Sequence, residues 1–305
     1  MKSIKVNTPA CILCLILLLC ERTGAQSRLW KTKDAYLGQL PPNDTPKIFA
    51  RSILAGSSIV LGRVAFSKNG KEFYYTYSKH WFDNDDSGVK QILFNGKSWD
   101  PPKVIVEKLA NPALSKDEKT MYLGGISSEV WKSIRVNDTW SKPVLFLNQK
   151  YGLYNFQPTT RGIYYAGSNA NQGKKNDFST YDFCTLTITK KDTVVRSLGL
   201  PLNTPGFDGD LFVAPDESYM IVSANETKTY ECELHISFRN GDKSWTKPVS
   251  LGDLINHGLA HRFGQYVSPD GKYLFYTKGT SETDSRIYWV RFDKLLKKMK
   301  KQAKV

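Results

Sequence analysis

The chain repeats one pattern of apolar and polar positions: an apolar residue, a short polar turn, then a run in which aromatic and aliphatic side chains alternate. It first reads Phe66-Ser67-Lys68-Asn69-Gly70-Lys71-Glu72-Phe73-Tyr74-Tyr75, and returns as Leu114-Ser115-Lys116-Asp117-Glu118-Lys119-Thr120-Met121-Tyr122-Leu123. The third copy is Phe156-Gln157-Pro158-Thr159-Thr160-Arg161-Gly162-Ile163-Tyr164-Tyr165, and the fourth is Val213-Ala214-Pro215-Asp216-Glu217-Ser218-Tyr219-Met220-Ile221-Val222. The fifth, Val267-Ser268-Pro269-Asp270-Gly271-Lys272-Tyr273-Leu274-Phe275-Tyr276, is the most regular. Each copy predicts a hairpin. Proline presets the first turn position, Asp or Asn bonds its own backbone, and glycine takes the positive φ that closes the turn. The β-branched and aromatic run that follows is a strand. Turn anchors at residues 67, 115, 157, 214 and 268 put one unit at about 50 residues, room for four short strands.

A second element falls inside the same period. Asn95-Gly96-Lys97-Ser98-Trp99-Asp100-Pro101-Pro102, Asn137-Asp138-Thr139-Trp140-Ser141-Lys142-Pro143 and Asn240-Gly241-Asp242-Lys243-Ser244-Trp245-Thr246-Lys247-Pro248 each set a tight turn before a tryptophan and a proline after it. This predicts the turn from the third strand to the outermost one, where an edge has free N–H positions and tolerates proline. Four-stranded units at this period, with no helical periodicity between them, predict an all-β fold, a β-propeller of five four-stranded blades, with six as the alternative. After Ser268 the chain supplies three strands, at 265–268, 273–277 and 286–292, and no further Trp-x-x-Pro element. The missing outer strand is expected from the N-terminal side, at Thr45-Pro46-Lys47-Ile48-Phe49-Ala50.

The Ser268-Pro269-Asp270-Gly271-Lys272-Tyr273-Leu274-Phe275-Tyr276 run resembles the TolB-like, WD-repeat-like propeller repeat of bacterial envelope proteins. The opening Tyr36-Leu37-Gly38-Gln39 with Pro41-Pro42, and the closing Ile287-Tyr288-Trp289-Val290, resemble a group of such proteins in Bacteroidetes. The resemblance covers residues 36–297. It implies a propeller and leaves the role open, because propellers host many functions.

Composition adds a location. Residues 1–25 have a positive start at Lys2 and Lys5, an apolar run from Ala10 to Cys20, and small residues Thr23 and Ala25 before a cleavage point, the layout of a secretory leader. Cys20 offers a second reading, a lipid anchor, against which Leu19 stands where a small residue is wanted. Either way the chain is expected outside the cytoplasm, periplasmic or secreted. The expected layout is leader 1–25, extension 26–44, propeller 45–293 and basic tail 294–305. The formal charge of +14 is concentrated at the end, with Lys294, Lys297, Lys298, Lys300, Lys301 and Lys304 in the last twelve residues. In an exported protein this tail predicts a solvated helix end with weak attraction to an acidic envelope surface, not nucleic-acid binding. Past the leader only Cys184 and Cys232 remain. Both sit on apolar faces and read first as small buried residues, then as a disulfide or a metal pair.

No motif for catalysis stands out: there is no Gly-x-Ser-x-Gly elbow, no His-Glu-x-x-His, no paired Cys-x-x-Cys and no phosphate loop. Propeller ligands bind over the central channel, and the loops entering the innermost strands carry Asn111, Tyr154-Asn155, Asp208-Gly209-Asp210 and His261-Arg262-Phe263-Gly264. Asn155, Asp208, Asp210, His261 and Arg262 are therefore the candidate ligand-binding residues. The alternative is that the two aspartates cap turns and Arg262 satisfies backbone carbonyls. The expected function is a non-enzymatic, monomeric binding module for a protein or polysaccharide partner, with no catalytic residue, metal or cofactor assigned. The competing reading is a carbohydrate-active enzyme, which channel carboxylates from different blades would favour.

Overall fold

The computed structural model describes residues 28–303, apart from 55, 57–58, 82–84, 126–127 and 176. The expected leader and the Cys20 anchor lie outside the described residues. Five antiparallel sheets follow in chain order. Blade 1 comprises Ile59–Phe66, Glu72–Ser78, Gly88–Leu93 and Lys103–Glu107, and blade 2 comprises Ala110–Leu114, Thr120–Gly124, Val130–Val136 and Val144–Leu147 with the short Thr139–Trp140 beside it. Blade 3 takes Leu153–Pro158, Tyr164–Ser168, Asp182–Ile188 and Thr193–Ser197, and blade 4 takes Leu211–Val213, Tyr219–Ala224, Glu233–Phe238 and Val249–Ser250. Blade 5 has His261–Val267, Tyr273–Ser281 and Asp284–Arg291, and its fourth strand is Lys47–Ile48. The first strands of the blades touch one another in cyclic order, blade 5 against blade 1 included, so the ring is a five-bladed β-propeller.

The ring closes where the sequence predicts. Lys47 and Ile48 pair with Trp289 and Tyr288, and the Phe49 N–H donates to the Ile287 carbonyl at 2.7 Å. Phe49 then enters a cluster of rings with Phe66, Phe73, Phe275 and Trp289. The described part of the expected extension, residues 28–44, contributes to this core: Trp30, Tyr36 and Leu37 are buried in it. Tyr36 donates its hydroxyl to Asp270 at 2.6 Å, and the Trp30 indole donates to the Lys68 carbonyl at 2.7 Å, so the extension ties the turns of blades 5 and 1 together. Gly70 serves twice here. Its φ of 72° closes the blade 1 turn, and a Cβ on it would lie 2.9 Å from the Trp30 ring.

The aromatic richness follows from two-sided burial. Side chains alternate across a strand, and each blade packs on both faces. Phe73 and Tyr75 thus enter the core shared with blade 5, while Tyr74 enters the one shared with blade 2. Likewise Tyr219 and Ile221 face blade 5, while Met220 and Val222 face blade 3.

The repeated turns share one geometry. Ser67, Ser115 and Ser268 each donate to the Asn or Asp two residues on, at 2.7–2.8 Å, and accept the N–H five residues on, at 3.0–3.1 Å. Three residues past each anchor the backbone turns left-handed, at Gly70, Glu118, Gly162, Glu217 and Gly271. This corrects the third anchor. Pro158, not Phe156, pairs with the next strand, at Tyr164, so the anchor is Thr159 and the turn is one residue shorter. Thr159 spends its hydroxyl on the Ile163 carbonyl and on Glu217 instead.

The tryptophan elements lie between third and outer strands as predicted; those of Trp140 and Trp245 stand where blades meet, while the Trp99 indole donates to the Asp34 carbonyl of the N-terminal extension at 2.8 Å. Arg135 holds Glu72 of blade 1 with two bonds of 2.9 and 2.7 Å and stacks on Trp140, whose indole donates to the Tyr74 hydroxyl at 3.0 Å. A related arrangement stands between blades 4 and 3, where Arg239 stacks on Trp245 and donates to the Tyr165 hydroxyl of blade 3 at 2.9 Å and to Glu217 of its own blade at 2.7 Å. The basic tail is only half solvated. Asp293–Gln302 is a helix whose Met299 is buried, with Leu295 and Leu296 against the blade 4–5 core, so its lysines mark one face of a docked helix.

Candidate functional site

Four residues before each turn anchor, the innermost strands place Arg63, Asn111, Asn155, Asp210 and Gly264 at equivalent positions around the axis. Bulges next to four of them turn these residues inward. Together they form a hydrogen-bonded girdle. The Asn111 side chain accepts the Arg63 N–H at 3.0 Å, and Asn155 donates to Asp210 at 2.7 Å, which also accepts the Gly264 N–H. The Arg63 guanidinium crosses the axis and donates to the Asn155 side chain at 2.8 Å and to the carbonyls of Asn155, Phe156 and Leu211 at 2.9, 3.0 and 3.3 Å. Gly264 has to be glycine: its φ is 63°, and a Cβ would sit 2.2 Å from the Gly62 carbonyl carbon. Burial pushes the Arg63 pKa down to about 10, against the pull of Asp210, so it stays charged at neutral pH.

The girdle divides the channel into two mouths. At the strand-entry mouth lie the residues singled out from the sequence, and the structure joins only some of them. Asn155 and Asp210 are buried partners within the girdle. Asp208 is buried beside them, accepting the Thr204 N–H at 2.6 Å and the Thr204 hydroxyl at 3.3 Å, the turn-capping role. Burial pushes both aspartates up to about 7. Arg262 points elsewhere. Its guanidinium donates to the carbonyls of Ile255, Cys232, Ala260, His257 and Gly258 at 2.7–3.2 Å, the carbonyl-satisfying alternative raised above.

His261 stacks on Phe263 at 4.1 Å, with Trp81 and Tyr230 around the ring, and burial drives its pKa down to about 4. Its neighbour Glu226, 3.9 Å away, is pushed up to about 8 by burial and by the charges of Asp210 and Asp208. The two are therefore both neutral near pH 7 and form no ion pair. Cys232 completes a cluster of three metal-capable side chains with them.

The opposite mouth, where inner strands run out into the repeated turns, holds a cavity of about 670 Å³. All five blades contribute to it. Arg63 and Gln157 lie at its polar base, Ala65, Pro112, Ala113, Pro158, Phe212 and Tyr266 form the walls, and Lys68, Lys116, Glu118 and Thr160 stand at the turns. The Gln157 amide pairs with both backbone groups of Val213, stitching blades 3 and 4 below the opening. Tyr266 does the same to Phe66, at 2.9 and 3.2 Å. Prolines and aromatic edges thus form an apolar funnel with separated hydrogen-bonding groups, and its single lining carboxylate is Glu118.

The cavity lies across the girdle from Asp208, His261 and Arg262, and Arg63, absent from the candidates read from the sequence, breaks the otherwise apolar run Ile59–Phe66. Glu226 carries no comparable mark.

Neither a protein-family model nor a curated protein sequence matches the chain. Solved structures do match in shape, at low identity. A protein assigned as TolB from Agrobacterium tumefaciens aligns with a TM-score of 0.47 and 12% identity over 82% of this chain and 85% of that one. The periplasmic gluconolactonase PpgL of Pseudomonas aeruginosa aligns with a TM-score of 0.45 and 9% identity over 74% and 70% of the two chains. TolB from Acinetobacter baumannii gives 0.44 and 12% over 78% of this chain, which spans 55% of that protein's length. These likenesses agree with the β-propeller architecture seen in the strands and go no further.

Proposed function

We propose that this protein is an exported, non-enzymatic binding module that takes a segment of a protein partner into the funnel at the turn mouth. The observation that carries the reading is the funnel itself: about 670 Å³, built by all five blades, apolar in its walls and dotted with amide, hydroxyl and lysine groups. Recognition sites for extended segments have that make-up, an apolar surface for burial and a few polar groups for orientation. Acid–base cleavage of a glycan needs two placed carboxyl groups, and the funnel offers Glu118 alone. Export rests on the leader-like residues 1–25.

The test is selection from a peptide-display library and a polysaccharide panel in parallel, using the mature chain and three variants. Thr160→Trp and Lys116→Glu alter exposed turn positions of the funnel. Asp208→Ala alters the other mouth. Peptide binding that falls at least tenfold in the two funnel variants and persists in Asp208→Ala supports the reading. Cleavage of any polysaccharide that is abolished by Asp208→Ala would replace it with the enzyme reading.

A further inference from the structure

We propose that Glu226, Cys232 and His261 form a binding site for a zinc-class divalent cation at the strand-entry mouth. The three residues arrive from separate places: Glu226 on the loop after Tyr219–Ala224, Cys232 just ahead of Glu233–Phe238, and His261 at the start of the blade 5 inner strand. Their donor atoms nevertheless lie within 4.8 Å of one another. Tetrahedral coordination by S, N and O puts donors about 3.5 Å apart, so side-chain rotation on this scale closes the site. Two buried atoms here lack the partner that burial demands: His261 Nδ1 and Glu226 Oε2 make no hydrogen bond. Unpartnered polar atoms this deep are costly, and a cation between them removes the cost.

The surroundings suit that cation. Asp210 and Asp208 act on Glu226 with negative charge. The Cys232 sulfur accepts the Arg262 N–H at 3.2 Å, the kind of bond that steadies a metal thiolate, and lies 3.1 Å from the Arg262 carbonyl. The Arg262 side chain fixes the Cys232 carbonyl and the 255–260 loop, which makes it a positioning residue for the cysteine and the histidine. One sulfur, one imidazole nitrogen and one carboxylate oxygen select a borderline-soft ion over calcium or magnesium. On binding, the Cys232 thiol and the Glu226 carboxyl each lose a proton to solvent, the sulfur–metal and oxygen–metal bonds replacing the S–H and O–H, while the His261 imidazole binds in its neutral form. Three protein donors leave a fourth position for water or another ligand.

The experiment uses the full mature chain, reduced and freed of metal, titrated with Co²⁺ and then Zn²⁺. The expected result is one equivalent bound, with a thiolate-to-cobalt charge-transfer band in the near ultraviolet that Zn²⁺ abolishes. The band is expected to vanish in Cys232→Ser and to survive in Cys184→Ser. Glu226→Gln, on a loop, is expected to weaken Zn²⁺ at least tenfold without changing the metal-free melting temperature, which keeps the test sound if Cys232→Ser folds poorly. Absence of the band in the wild-type chain, or equal Zn²⁺ affinity in wild type and Glu226→Gln, overturns the assignment.

Discussion

The two mouths of the channel are made from the same five strands and differ in what fills them. From the girdle to the entry mouth, polar side chains point inward and spend hydrogen bonds on each other and on backbone, as Arg63, Asn155 and Asp210 do in the girdle and Asp208 beside it. At the turn mouth the same strands present Ala65, Ala113, Pro158 and Phe212, and the space between them stays open. Charge near a propeller axis is therefore not by itself a ligand site. In this protein it is largely a plug, and the cavity lies where the lining is apolar.

Substitutions separate the two mouths by their cost. The largest effect is expected from Arg63→Met, which leaves Asp210 without its cation and three carbonyls without a donor. A loss of about 3–5 kcal/mol in urea unfolding is expected, and a loss below about 1 kcal/mol would break the view of the girdle as structural. Asn155→Ala removes one link of the same girdle and is expected to cost about 1–3 kcal/mol in that assay.

Next comes a pH effect confined to the entry mouth. Asp208 and Asp210 are held near 7 by burial, above the ordinary carboxylate value, so the folded state binds protons more tightly than the unfolded one. Their contribution to stability is fully present below about pH 4 and is lost as pH rises through about 7. His261, held near 4 by burial, works in the opposite sense: its contribution is lost as pH falls from its ordinary value near 6.5. Comparing wild type with Asp208→Asn cancels the histidine. The variant is expected to gain on the order of 1–2 kcal/mol relative to wild type between pH 5 and 7.5, and parallel pH profiles would remove Asp208 from the account. The smallest stability effect belongs to the turn mouth, where Thr160→Trp and Lys116→Glu are expected to stay within about 0.5 kcal/mol of wild type.

What the sequence discloses and what it hides follow from how local each feature is. Turn chemistry and two-sided alternation are local, so blades 1, 2, 4 and 5 are placed correctly from residues such as Ser268-Pro269-Asp270-Gly271. Ring closure by Lys47–Ile48 is also legible, because a blade short of one strand needs a donor. The third turn misleads because Gln157 and Pro158 imitate an anchor two residues early. The girdle is half visible. Its members stand four residues before each anchor, but that register appears only once Thr159 replaces Gln157. The Glu226–Cys232–His261 cluster follows no period, since loop conformations bring it together across blades 4 and 5. The funnel is hidden for a different reason: alanines and prolines on inner strands look like ordinary core until the ring leaves them facing empty space.

Amide hydrogen exchange with a display-selected peptide bound tests the central claim most directly. Protection is expected at the turns 67–71, 115–119 and 159–162, with segments 204–210 and 225–232 unchanged. Protection confined to 204–210 and 225–232 would contradict it and move the binding face to the plugged mouth.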